Sequence, residues 1–171
     1  MLRALLTDID GTLTDPSRRI HTGAVETIRS LVDNGVEVIL ASGNTACFMD
    51  ALSKMIGTSG SFIGENGGVF RVGYTGPLRI SGDLKIAANA LETVQYHFRQ
   101  KGVTLELYSP DYRFSDRAFA RTVPVGEVRE ILAGQPVQVI DTGYAIHLQS
   151  LGVNKGTALT ALAKELQMDS T

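Results

Sequence analysis

Apolar positions along this chain fall into short runs that alternate with stretches of helical period. The first run, Leu5-Leu6-Thr7, ends at Asp8-Ile9-Asp10-Gly11, where glycine lets a strand bend back. Val25, Ile28, Leu31 and Val32 then recur at helical spacing up to Asn34-Gly35, which predicts a helix and its stop. Val36 to Ala41 is β-branched and nearly all apolar, the pattern of a strand buried on both faces in a parallel sheet. A helix opening at Ser42-Gly43-Asn44-Thr45 and reaching about Ile56 follows, then a short strand Phe62-Ile63-Gly64 and a turn, Glu65 to Gly68. Val69 to Val72 and Pro77 to Ile80, separated by Gly73 to Gly76, predict a hairpin.

The texture changes after Ser81. Leu84, Ala87, Ala88, Leu91, Val94 and Phe98 form the stripe of a helix over about 83–100, ended by Gly102. Val103 to Tyr108 alternates, which predicts a strand with one covered face. A charged loop, Ser109 to Arg117, reads as solvated surface, and a strand is expected around Phe119 to Thr122, a helix from Pro124 to Ala133, and strands at 137–140 and 144–149. The last segment, Gly156 to Leu166, is helical again, with Leu159, Leu162, Ala163 and Leu166 as its apolar face. The expected organisation is α/β: a Rossmann-like parallel sheet core made of 1–81 and 150–171, with an α/β domain inserted at 82–149.

Composition narrows the function. With 171 residues the chain can bury a real core. Sixteen Lys plus Arg against eighteen Asp plus Glu give a net charge of -2 with no basic block, so nucleic acid is not an expected partner. No apolar stretch approaches a membrane span and the N-terminus is not a signal peptide, so no membrane partner is expected and a cytoplasmic home is the simpler reading. Cys47 is the only cysteine and is expected to be a buried thiol.

Asp8 and Asp10 carry the chemistry. On an extended chain they share a face, and two crowded carboxylates repel unless a cation sits between them or one holds a proton. A carboxylate can also attack phosphorus, although Asp-x-Asp-Gly is used by plain turns and calcium loops as well. Ser42, Gly43 and Asn44 follow a buried strand and open a helix, where free N–H groups attract an anion; Ser42 or Asn44 as a simple helix cap is the alternative. Lys155 follows Asn154, a natural cap, at the start of the last helix. The dipole disfavours a cation there, so a solvated lysine competes with one that neutralises a phosphate.

Together these residues resemble the haloacid dehalogenase superfamily of phosphohydrolases: Asp8 to Thr14 fits its first motif, Ser42 its second and Lys155 its third, in order. The insertion resembles the branch with an α/β cap, and Gly64 to Gly68 with Gly143-Tyr144-x-x-His147-Leu148 is similar to archaeal-type phosphoglycolate phosphatases. The resemblance implies Asp8 as nucleophile, Asp10 as acid and base, and Mg2+ held by the Asp8 side chain and the Asp10 carbonyl. It implies Ser42, Gly43, Asn44 and Lys155 around the phosphate, and a cap that excludes water and selects the substrate. The expected partner is a small phosphorylated metabolite, 2-phosphoglycolate first and a sugar phosphate second, with a homodimer left open. Arg113 or Arg117 is the candidate reader of a substrate carboxylate.

The fourth motif of the resemblance, which supplies a further metal carboxylate, is not reached before Thr171, and Asp169 lacks its context. A C-terminally incomplete core with uncovered apolar surface on the closing helix is therefore expected. That leaves a catalytically silent metal- or phosphate-binding module as the rival in another class. A phospho-accepting receiver is a second rival, although its acids lie on a later strand and it has no inserted cap.

Overall fold

The structure, a computed structural model, describes residues 2–168; Asp169 lies outside them. The chain divides into two compact units, Met1–Ile80 with Asn154–Thr171, and Ser81–Val153.

The first unit is built on a five-stranded sheet in the order β1-β2-β3-β4-β5. β1 (Ala4–Asp8), β2 (Glu37–Ala41) and β3 (Phe62–Gly64) run parallel. β4 (Val69–Arg71) and β5 (Arg79–Ile80) extend the sheet antiparallel, so the expected hairpin makes it mixed rather than purely parallel. Alternate residues of β2 serve opposite faces, which is why its run is apolar throughout. Val38 and Leu40 pack with Ile28 of α1 (Thr22–Asp33) and Met49 and Ile56 of α2 (Ala46–Ile56). Ile39 and Ala41 pack with Ala158 and Leu162 of the last helix, α5 (Lys155–Glu165). Leu159 and Leu166 are partly buried against the same cluster, so the sheet covers Ala158 and Leu162 fully and leaves the rest of the apolar face of α5 partly exposed. Arg71 on β4 bonds Asp50 on α2, and that bond holds the Asp50 carboxyl below its ordinary pKa despite opposing desolvation, with Lys54 adding to it.

The second unit is a three-stranded antiparallel sheet in the order β6 (Arg117–Ala120), β8 (Ala145–Ser150), β7 (Val137–Asp141). Two helices, α3 (Leu84–Gln100) and α4 (Val125–Ile131), cover one face. Val94 and Phe98 of α3 and Val128 of α4 join Phe119, Ile146 and Leu148 in one core. Asp83 caps α3 through its side chain, and its own N–H donates to Ser150 Oγ at 2.9 Å. Segment 103–108 is not a ladder strand: it meets β6 at the single bridge Leu107↔Phe119. Its alternation is nonetheless real, with Leu105 buried while Thr104 and Glu106 are exposed. Cys47 is exposed and not buried, because α2 turns Ala46, Met49, Ser53 and Ile56 inward instead; its Sγ lies 3.2 Å from Thr45 Oγ1.

Candidate active site

Parallel pairing sets the site. Asp8, the last residue of β1, stands in register with Ala41, the last of β2, so Asp8 and the Ser42 loop emerge side by side at the C-terminal edge of the sheet, where open α/β sheets bind ligands. Beyond β1 the chain wraps around the Ile9 carbonyl, which accepts from the N–H groups of Leu13 (2.9 Å), Thr12 (3.2 Å) and Thr14 (3.2 Å). Gly11, at φ +76°, makes this turn possible, and its N–H donates to Thr14 Oγ1 at 3.1 Å.

Lys155 Nζ lies 2.9 Å from Asp8 Oδ1, a contact across 147 positions of sequence. Asn44 Nδ2 donates to Asp10 Oδ2 at 3.3 Å and to Ser42 Oγ at 2.9 Å. Five of the candidate residues, Asp8, Asp10, Ser42, Asn44 and Lys155, thus make three contacts in two groups, Lys155 with Asp8 and Asn44 with both Asp10 and Ser42, with Gly43 in the loop between Ser42 and Asn44. Neither Ser42 nor Asn44 caps α2: its capping position is Thr45, and the Ser42 and Asn44 side chains are turned to each other instead. Asn154 does cap α5, in a reciprocal capping box with Thr157, which fixes the residue that carries the lysine.

The turn after β3 holds the two halves together. The Asn66 N–H donates to Ser42 O at 3.1 Å and the Glu65 N–H to Asn44 O at 2.9 Å. A Cβ on Gly67 would stand 2.2 Å from the Asn154 carbonyl carbon and oxygen and 2.7 Å from Lys155 N. This turn therefore joins the Ser42 loop to the start of α5, a role sequence spacing alone does not reveal; only the resemblance marks these residues.

In the second unit the charged loop is solvated only in part: Ser109, Asp111, Tyr112 and Phe114 are exposed while Arg113, Ser115 and Asp116 are buried. Asp116 is 0 % exposed and Arg113 7 %. Arg113 Nη1 donates to Asp116 Oδ1 at 2.7 Å and its Nε to Tyr108 O at 2.9 Å. His147 Nδ1 lies 2.8 Å from Asp116 Oδ2. The carboxylate draws the loop inward by engaging both groups. Arg113 is thereby committed within its own unit. Arg117, partly exposed, donates only to backbone carbonyls, Asp116 O at 3.3 Å and Arg113 O at 3.4 Å, and has no ion-pair partner among the described residues. Removing the carboxylate, as in Asp116→Ala, is expected to destabilise this unit by about 3–5 kcal/mol, read as a shift in its urea denaturation midpoint.

No group of three or more His, Cys, Asp or Glu converges among the described residues. The Asp8 and Asp10 oxygens are hard donors that suit Mg2+, which commonly binds through one or two carboxylates and keeps several waters.

Residues 5–131 match the family of haloacid dehalogenase-like hydrolases. The chain is 60 % identical over 168 residues to the phosphoglycolate phosphatase of Methanoculleus marisnigri, covering 97 % of this chain and 72 % of that one. It is 51 % identical over 166 residues to the phosphoglycolate phosphatase of Methanospirillum hungatei, with coverages of 97 % and 72 %. Among solved structures, a Thermoplasma acidophilum protein superposes with a TM-score of 0.85 at 28 % identity, covering 99 % of this chain and 73 % of that one. A haloacid dehalogenase-like hydrolase from B. subtilis shares the fold, with a TM-score of 0.75 at 14 % identity and coverages of 98 % and 80 %. The chain belongs to the haloacid dehalogenase-like hydrolases. Within them it is a phosphoric monoester hydrolase. No helix among the described residues is long and apolar enough to cross a membrane.

Proposed function

We propose that this chain hydrolyses 2-phosphoglycolate through an aspartyl-phosphate on Asp8. The observation that carries the mechanism is the 2.9 Å contact of Lys155 Nζ with Asp8 Oδ1, beside an Asp10 held by Asn44. Asp8 attacks phosphorus, and the bond from phosphorus to the leaving oxygen breaks as Asp10, protonated, gives that oxygen its proton. Asp10, now a carboxylate, then takes a proton from the water that attacks phosphorus. The Asp8–phosphorus bond breaks and phosphate leaves. Ser42, Gly43 and Asn44 donate to the phosphoryl oxygens, and Lys155 offsets their charge. The Asp8 side chain and the Asp10 carbonyl would hold Mg2+, which when bound would supply further charge neutralisation.

The substrate assignment is supported by the names of the two archaeal relatives, and Arg117 is the proposed reader of the substrate carboxylate. A guanidinium takes a carboxylate in bidentate fashion. Phosphate release from 2-phosphoglycolate is expected to exceed release from glucose 6-phosphate. No preference sinks the substrate assignment, and no release from any monoester sinks the mechanism. Arg117→Ala should raise KM for 2-phosphoglycolate by about tenfold or more while leaving p-nitrophenyl phosphate, which lacks the carboxylate, nearly unchanged. Equal losses on both substrates would exclude Arg117 as the reader.

A further inference from the structure

The turn at 65–67 combines two unusual features. Glu65 (φ +48°), Asn66 (φ +54°) and Gly67 (φ +100°) are consecutive left-handed residues, and a non-glycine there is strained by about 1 kcal/mol or more. Asn66 is also 9 % exposed, yet its Nδ2 has no hydrogen-bond partner among the described residues. An unpartnered buried donor adds about 1–3 kcal/mol of strain of its own. Backbone strain and an unsatisfied donor at one residue mark a place where stability has been given up.

The location shows what the donor could serve. The Asn66 N–H is bonded to Ser42 O at 3.1 Å, and the following residue is packed against the Asn154–Lys155 backbone. The Asn66 backbone is therefore anchored between the second- and third-motif segments. An amide N–H there wants an acceptor, and a phosphoryl group held between Ser42 and Lys155 offers three oxygens.

We propose that Asn66 is a further phosphate-binding residue, its Nδ2 donating to an oxygen of the phosphoryl group; this rests on the reading of Ser42 and Lys155 as the phosphate site. Left-handed geometry is part of the device, since asparagine tolerates it better than other side chains that carry an amide of that reach.

The test is calorimetric titration of the chain with inorganic phosphate in the presence of Mg2+. Asn66→Gly keeps the left-handed backbone at no steric cost, so its melting temperature should hold or rise while phosphate affinity falls about tenfold. Asn66→Asp, which swaps the donor for a negative charge, should lose at least as much, and KM for p-nitrophenyl phosphate should rise more than kcat falls in both. Ser42→Ala and Lys155→Met are measured alongside. If those two weaken phosphate and Asn66→Gly does not, the phosphate site stands and the Asn66 assignment is overturned. Should none of the variants change phosphate affinity, or the wild-type chain not bind phosphate, the underlying site falls and the assignment with it. If both Asn66 variants fail to fold, the wild-type chain decides: the side-chain amide resonance of Asn66 must shift on phosphate addition, and an unmoved resonance overturns the proposal.

Discussion

Asp8→Asn is expected to fold as the parent chain and to hydrolyse p-nitrophenyl phosphate at least about a thousandfold more slowly, because a carboxamide cannot replace a carboxylate as nucleophile. Stability should barely change. The Asp8 and Lys155 side chains are 47 % and 35 % exposed, and such pairs contribute about 1 kcal/mol or less. Phosphate binding separates this from a collapse of the site. With Asp8 neutralised, Lys155 no longer has a carboxylate opposing it, so in the absence of Mg2+ inorganic phosphate should bind at least as tightly as before. Asp10→Asn should also stop turnover, through loss of the acid and base, with little effect on phosphate affinity. An Asp8→Asn enzyme that keeps more than about a tenth of parental turnover would sink the covalent mechanism.

The second large effect is expected at Gly67. Alanine there meets two obstacles at once: a φ of +100° and a Cβ within 2.2 Å of the Asn154 backbone. Neither neighbour is a flexible side-chain end, so the turn and the start of α5 must move apart, at a cost of about 3 kcal/mol. Because Lys155 is the first residue of α5, kcat should fall together with the denaturation midpoint of the first unit. Gly23→Ala is the control, since Gly23 sits in α1 with nothing within 4 Å of its Cβ position; it should leave stability unchanged or raise it by up to about 1 kcal/mol. Gly67→Ala with parental stability and turnover would show that the close approach is not maintained in solution.

Local patterns in the chain carry the local structure. The stripe of Ala87, Leu91, Val94 and Phe98 is the buried face of α3, and the all-apolar Val38 to Ala41 is the doubly covered β2, because period and burial are properties of a few neighbouring residues. Val103 to Tyr108 shows the limit: alternation reports which side chains face inward, and says nothing of whether a partner strand is long enough to form a ladder. The burial of Asp116 was illegible for a related reason. A run of Asp and Arg looks solvated until its counter-charges, here Arg113 and a histidine 31 positions away, are known. At the site, Asp8 and Ser42 could be read from strand ends and glycine turns. The roles of Asn66 and Gly67 could not, since they depend on Ser42 and Asn154 coming close in space.

The hydrogen bond between Asp83 and Ser150 bears on how the first unit can be assembled at all. An insertion between β5 and α5 would, as an unstructured loop, tax the closure of the sheet in proportion to the logarithm of its length. Here the insertion returns the chain to within a hydrogen bond of where it departed, so once Ser81–Val153 has folded the remainder experiences it as a short connection, a relief of about 2–3 kcal/mol in closure entropy. Folding order follows: the inserted unit, whose contacts lie within its own stretch of sequence, should form ahead of the long-range docking of α5. During synthesis the nascent chain would then hold a finished insertion while Lys155 is still joining Asp8, and hydrolysis would not begin before α5 has docked.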